Sequence, residues 1–449
     1  MSALLDFVKF THLNNWSVLH LLQNDFQYNK DYKLVKVSEF LTRNKTNVII
    51  EDKVKYKRVT IKQYNNGLFL RDIEIGKNIG TKKQFSIKKG QFLLSKIDAR
   101  NGAFGVVTEE IDNAIITGNF WTYDVDYSLV NPYFLALITT TKQFMKFCQM
   151  ASSGTTGRHY LKEDKFLDVK IPLPSLKIQN KLVQDYQYKV DLSILQEKQS
   201  KDKEKEIEEY LYRELGIEIS KSDNNKLLSF VNFKNIERWD SIYLLDGNNI
   251  KSKYNLIPIS NIINTFLKDL DNNSLRIDSK KYPTKDFKYI GMENIEKETG
   301  KLLQFQDVKG VDIKSTTVKL PKNFFLYGKL RPYLNKYYLN KHNEDNIIIS
   351  SEFFVFSVKD INEQYFKYIL SSSFIQNQIE NHMKGARMPR IGEDTFKNLK
   401  IPLPSLEIQD KIVKYIESLK NDIQNLKKES IMNKDVALKE FEKEVFNEN

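Results

Sequence analysis

The stretch "SKIDARNG" sets Lys96, Arg100 and Asn101 behind an apolar run and ends on Gly102, a pattern that puts polar side chains on a loop. Arginine can bond guanine through two donors, asparagine can bond adenine, and lysine neutralises phosphate. Asp98 either orients Arg100 or pairs with it. Further along, "GKLRPYLNK" offers Lys329, Arg331, Tyr333 and Lys336, with Lys329 answering Lys96. The basic character is kept while the identities change. A structural salt bridge is the competing use of Arg100 and Arg331.

Three other segments carry the same kind of chemistry. "KVKYKRVTIKQYNNG" interleaves Lys57, Arg58 and Lys62 with Tyr56 and Tyr64, which suits phosphate contact beside stacking or base-edge contact. Its alternative is a hairpin with an exposed basic face. Lys82 and Lys83 in "GTKKQFSI" suit either backbone contact or plain solvation. A second polar loop holds Arg158, His159 and Tyr160, answered by Lys384, Arg387 and Arg390. Gly154 and Gly385 there permit close backbone approach. Each is either a groove loop or a local support.

Catalytic signatures are missing where they would be needed. "NPYF" at Asn131 suggests an amino-methyltransferase motif, but the matching place reads "NEQYF" from Asn362, and a helix start explains both. The acidic triplets "EDK" and "EDT" do not form a metal nuclease set, and five histidines show no ligand spacing. No phosphate-cradling GxxxxGK[ST] motif is present. The expectation is a non-catalytic chain with no cofactor or metal of its own.

The elements that must position these loops are written twice. "IPLPSLKIQNKLV" from Ile171 is repeated as "IPLPSLEIQDKIV" from Ile401, identical at ten of thirteen positions. "FVKFTHLNNWSVLHLL" resembles "FVNFKNIERWDSIYLL", placing Trp16 opposite Trp239, and "AIITGNFWTYDVD" answers "IIISSEFFVFSVK". A period above 200 residues is a domain duplication, not a solenoid repeat. Each copy runs as an apolar-aromatic lead, a strand-rich α/β domain, a Pro-Leu-Pro connector and a helix. Within the first domain, "VNPYFLALITTTKQFMKFCQM" predicts a helix. Ser175 and Ser405 stand at N-cap positions, and apolar residues at three- and four-residue spacing follow for about 40 residues, or roughly 60 Å. A helix that long with one apolar stripe needs a partner, and the other copy supplies it. The expected boundaries are leads at 1–30 and 217–249, domains at 31–174 and 250–404, and helices at 175–216 and 405–449.

Composition agrees with a polyanionic partner. The chain has 449 residues, with 70 Lys and Arg against 58 Asp and Glu, a net charge of +12. Such a balance favours phosphate backbones through counterion release, or serves only solubility. Cys148 is the single cysteine, so no disulfide forms within the chain. "MSALLDFVKF" lacks the basic start and apolar core of a signal peptide, and no run is long and apolar enough to span a bilayer. A cytoplasmic location without membrane attachment is expected.

The duplicated "IPLPSL.IQ.K.V" joints, "SKIDARNGAFG", "GKLRPYLNK" and the "RWD" of Arg238 to Asp240 resemble the DNA-specificity subunits of type I restriction–modification systems. In copy one "NWS" stands where copy two has "RWD". The resemblance covers the whole chain, in order and in duplicate. It implies an α+β fold with two target-recognition domains and two helices forming an antiparallel coiled-coil spacer. Each domain would read half of a split site on double-stranded DNA. It implies two adenine methyltransferase partners and, in the full complex, two motor-nuclease subunits. S-adenosylmethionine, ATP and Mg would belong to those partners. The competing readings are a duplicated scaffold that binds only protein, and a specificity subunit of a methylation-only or type II-like assembly.

Overall fold

The computed structural model describes residues 28–63, 67–153, 160–219, 250–270, 276–277, 281–313, 317–380 and 388–446. Residues 1–27 and 220–249, which hold most of the two leads with Trp16 and Trp239, lie outside them. The chain divides into two compact units, one of residues up to 198 with those from 426 onward, the other of 199–425.

In the first unit the strands are β1 (Lys33–Lys36), β2 (Leu41–Asn44), β3 (Asn47–Ile49), β4 (Lys55–Ile61), β5 (Leu68–Ile75), β6 (Lys83–Ser86), β7 (Phe92–Ser95), β8 (Phe104–Val106), β9 (Ile115–Ile116) and β10 (Phe120–Val125). Helices α1 (Pro132–Thr140) and α2 (Lys142–Met150) follow. Then come β11 (Ser152–Ser153), β12 (Tyr160–Leu161), α3 (Glu163–Asp168), β13 (Lys170–Leu173) and the long α4 (Leu176–Leu215). One sheet has the order β2-β10-β7-β8 and a second the order β3-β6-β9-β4-β5, with β4 and β9 parallel. β1 pairs with β13, so the Pro-Leu-Pro connector is a strand clamped to the start of the domain.

The second unit repeats this. Its strands are β14 (Glu218–Ile219), β15 (Ile250–Lys251), β16 (Leu256–Pro258), β17 (Ile263–Phe266), β18 (Arg276–Ile277), β19 (Asp286–Ile290), β20 (Gln306–Lys309), β21 (Thr317–Lys319), β22 (Phe325–Gly328), β23 (Tyr337–Leu339), β24 (Ile347–Ile349) and β25 (Phe353–Val358). After α5 (Glu363–Ser371), α6 (Ser373–Glu380) and α7 (Glu393–Asn398), β26 (Lys400–Pro402) leads to α8 (Leu406–Phe446). The sheet orders β17-β25-β22-β23 and β18-β21-β24-β19-β20 match the first unit strand for strand, including one parallel pair.

The helix predicted over 130–150 is two helices. Thr139, Thr140 and Thr141 each turn their hydroxyls back to a carbonyl three residues earlier, at 2.6 to 2.7 Å. These side chains compete with the helix ladder, and Thr141 becomes the cap of α2 by accepting from the Phe144 N–H.

The duplicated joint is held by one side-chain lock. Gln179, fully buried, accepts from the Asn131 N–H at 2.8 Å and donates to the Leu129 and Pro174 carbonyls. Asn131 caps α1 and donates to Asn180. In the second unit Gln409 accepts from the Asn362 N–H at 2.8 Å and donates to the Pro404 carbonyl, while Asn362 caps α5 and donates to Asp410. The asparagine of "NPYF" is therefore a cap and a hinge pin. The Ser175 and Ser405 carbonyls accept the first turn of each long helix.

Each core is completed by the far end of the other copy's helix. Phe92, Phe104, Tyr123, Phe134 and Phe166 of the first unit pack in one cluster with Phe441, Val445 and Phe446 of α8. In the second unit Phe325, Tyr327, Phe356 and Phe366 share a cluster with Tyr210, Leu211 and Leu215 of α4. Within each unit the helices pair antiparallel: Ser193 meets Ser430 and Lys189 meets Glu440 in the first, Lys203 meets Asp422 and Glu214 meets Lys411 in the second. Phe441→Ala should therefore destabilise the first unit by roughly 3–5 kcal/mol, and Leu211→Ala the second by roughly 2–5 kcal/mol. Hydrogen exchange should report the loss in β7 and β10 for the first variant and in β22 and β25 for the second. Loss confined to the helix tails would contradict the shared cores.

Candidate nucleic-acid interface

The loop after β7 and the segment ahead of α3, noted separately in the sequence, meet. The Lys96 N–H donates to the Asn119 carbonyl at 3.0 Å, and the Lys96 carbonyl accepts from the Leu161 N–H at 2.8 Å. In the second unit the Lys329 N–H donates to the Glu352 carbonyl at 2.8 Å, and its carbonyl accepts from the Ile391 N–H at 3.1 Å. These are the same two bonds at repeat-equivalent positions. The Lys96 ammonium lies 5.7 Å from the Tyr160 ring centre. That of Lys329 lies over Phe354 and donates to the Ser351 carbonyl at 2.9 Å. Burial lowers the Lys329 pKa, opposed by Glu352 and Glu393.

Each loop continues through a short 3-10 turn, Ala99–Asn101 or Pro332–Leu334, closed by a left-handed residue, Gly102 (φ 73°) or Asn335 (φ 43°). Glycine takes that conformation freely, and Asn335 is held in it by donating to the Ser371 carbonyl at 2.9 Å. Arg331 is also left-handed, with φ 48°. That costs a non-glycine residue of order 1–3 kcal/mol and persists only where surroundings enforce it. Here the Arg331 N–H donates to the Pro389 carbonyl at 2.7 Å, beside the Leu330–Arg390 bridge. The exposed Arg331 side chain and the half-buried Arg100 side chain have no hydrogen-bond or ion-pair partner among the described residues. Tyr333 is also exposed. Beside the first loop a cleft of about 330 Å³ is lined by Arg58, Thr60, Arg71, Thr81, Asp98 and Thr117. The two units thus present one backbone frame with different side chains.

The family model for the type I restriction modification DNA specificity domain matches residues 29–211 and again 251–433. The chain belongs to that family. The specificity subunit of type I restriction enzyme MjaVIII from Methanocaldococcus jannaschii is 32% identical over 76 residues, 17% of this chain and 18% of that one. The HindI specificity subunit from Haemophilus influenzae is 23% identical over 120 residues, 26% of each chain. The chain thus aligns with only a fifth to a quarter of the length of these curated relatives. A chain from a study of complex assembly and conformational transition of the type I R-M system matches with a TM-score of 0.59 and 12% identity. It covers 93% of this chain and 98% of that one. The HsdS subunit from Thermoanaerobacter tengcongensis matches with a TM-score of 0.51 and 12% identity, over 94% and 98%.

Within this specificity-family chain the remaining candidates divide by what holds them. Asp98 neither orients nor pairs with Arg100: it accepts from Gln63 at 3.0 Å and from Ser95. Arg58 is not an open basic face but forms a two-pronged pair with Asp72 at 2.6 and 2.8 Å, with Glu74 nearby. Lys57 donates to the Glu110 carbonyl, Lys82 to Asp52 and the Gly76 carbonyl, and Lys336 to the Met292 carbonyl. Lys62 lies over Phe69 at 4.4 Å, while Lys83 is exposed on β6. Asn101 is half-buried, and Arg390 pairs with Glu352 at 3.1 Å. Arg158, His159, Lys384, Arg387, Tyr64, Gly154 and Gly385 lie outside the described residues. Among the described residues no group of three His, Cys, Asp or Glu side chains is placed to hold a metal ion.

Sequence reasoning passed over Arg71, whose exposed place in the cleft is signalled by the alternation of "LFLRDIEI". It also missed Lys268 and Lys397, which both bond Glu393 at 2.7 Å. The Glu393–Lys397 pair is signalled by its i,i+4 spacing, whereas Lys268 lies 125 residues away and has no short-range signal. Arg100→Ala and Arg331→Ala should leave the thermal midpoint nearly unchanged, because neither guanidinium has a bonding partner among the described residues. Each should weaken DNA binding by about 1–3 kcal/mol, or roughly 5- to 150-fold, if it reads a base. Binding titrations against duplexes altered in one half-site would check this, and equal weakening at both halves would contradict it.

Proposed function

We propose that this chain is a non-catalytic DNA-specificity subunit that reads a split site, one half per domain, and positions methyltransferase partners. One observation carries the reading. The two units share their strand order and their loop-to-loop bonds, whereas the side chains those loops present differ. A frame kept constant beneath changed side chains is what reading two unlike half-sites requires, with phosphate contacts fixing register and base contacts specifying sequence. The DNA-facing set under this reading is the pair of loops at Lys96–Gly102 and Lys329–Lys336, joined to Tyr160 and Arg390. The long helix pair would set the gap between half-sites, as geometry sets half-site spacing in dimeric readers.

Partner docking draws support from the helices. Tyr188, Ile194, Leu195, Ile431 and Met432 are exposed apolar residues on the helix pair of the first unit. Covering exposed apolar side chains of this size is what a docked partner would do. Among the described residues no helix is long and apolar enough to cross a membrane.

Adding one helical turn to both α4 and α8 should lengthen the unspecified gap in the methylated motif and leave its bases unchanged. Replacing residues 250–400 with another such domain should alter one half-site only. Long-read mapping of adenine methylation, with the neighbouring genes present, reads both outcomes. A changed base set after the turn insertion, or two changed halves after the swap, would refute the modular reading. Binding without salt dependence would favour a protein-only scaffold, because phosphate contacts release counterions.

A further inference from the structure

A charged notch stands apart from the loops, on the flank of α5 and α8 in the second unit. The Lys420 ammonium of α8 lies 4.3 Å from the centre of the Tyr368 ring of α5. Lys367 adjoins Tyr368, whose hydroxyl donates to Glu417. Both lysines are half-buried, and neither ammonium has a hydrogen-bond acceptor among the described residues. Burial lowers both amines, Lys420 to about 8, where the neighbouring Lys367 pushes it further down and Glu417 opposes. Two cations thus share one carboxylate that is already bonded to a phenol.

The first unit supplies the control. At the repeat-equivalent positions it carries Ala136, Leu137, Gln187 and Val190. The same joint between a short helix and a long one is built there with no charge at all. The fold therefore does not require these lysines, and desolvating them is costly without a counter-charge. One further negative group would balance the notch.

We infer that the notch formed by Lys367, Tyr368, Glu417 and Lys420 receives a carboxylate side chain of a protein partner docked along the helix pair of the second unit. The inference rests on the docking reading above. A carboxylate presented by a protein surface suits the site better than a DNA phosphate does. The cations sit on helices α5 and α8, whereas the loops assigned to DNA follow β22 and precede α7. The absence of the lysines from the first unit makes the contact specific to one end of the chain.

The test uses amine acetylation at pH 8, read by mass spectrometry. At that pH about half of an amine titrating near 8 is neutral, against well under roughly 1% of an ordinary lysine. In the free chain Lys420 should react well ahead of exposed Lys83. In the chain assembled with its methyltransferase, Lys420 should be protected about tenfold, and a duplex DNA alone should not protect it. Lys367→Ala with Lys420→Val, the residues of the first unit, should weaken assembly at the second unit about tenfold while leaving the methylated bases unchanged. An assembly in which Lys420 stays as reactive as in the free chain overturns the inference alone, as does protection by DNA. A chain that captures no methyltransferase overturns both the inference and the docking reading.

Discussion

The burial of each long helix's tail in the core of the other copy's domain is the constraint on which the rest depends. Phe441, Val445 and Phe446 belong by sequence to the second copy, yet they fill the first unit's aromatic core. Tyr210, Leu211 and Leu215 do the reverse. Fully burying one such side chain contributes about 1.5–3 kcal/mol, so a single linear copy would lack a large part of what stabilises its domain. Folding of a domain and pairing of the helices become one event. Under the proposed reading of two half-sites this coupling is useful, because the order of each domain is tied to the docking of a helix tail.

The joint makes the coupling directional. The buried Gln179 and Gln409 each reach from the first turn of a long helix to the start of a short one in the domain. Losing such a partner would leave buried polar groups unsatisfied, at a cost of about 1–3 kcal/mol. The Pro-Leu-Pro strand, paired with β1 or β16, removes the remaining freedom. Farther along the helices of the first unit the seam turns polar. Ser193 bonds Ser430 at 2.8 Å, and Gln196 bonds both Glu429 and Asn433. Polar pairs in an otherwise apolar seam favour one register over neighbouring ones. The exposed ion pairs beside them, such as Lys434 with Glu197, add little by comparison.

Much of the frame was legible in the sequence because it is written twice. The joints, the long helices and the loops after β7 and β22 are all local patterns, and duplication turns a weak local pattern into a strong one. The split of the helix near Thr141 was hidden because hydroxyl-to-carbonyl bonding competes with the ladder at a level periodicity does not show. The fate of individual charges was hidden for a different reason. Arg58 and Asp72 meet through strand pairing, and Asp98 meets Gln63 across 35 residues. A basic run reads as an open patch until the partner strand is known. The shared cores were invisible for the same cause, since an apolar stripe does not name what it will bury against.

The comparison of the two loops bears on how such a protein diversifies. Gly102 and Asn335 close equivalent turns with positive φ, one without a side chain and one with its amide anchored to Ser371. The turn geometry is thus preserved by different means, while the residue at its centre changes from Arg100 to Tyr333, and the residue that opens it changes from Asp98 to a strained Arg331 held by Pro389. Strain of that kind persists only where the backbone bonds on either side are fixed first, and those bonds are the ones common to both units. A loop anchored at both ends can therefore exchange its side chains without altering the core or the joint. The frame carries stability, and the anchored loops are left free to vary, as the proposed reading of two unlike half-sites requires.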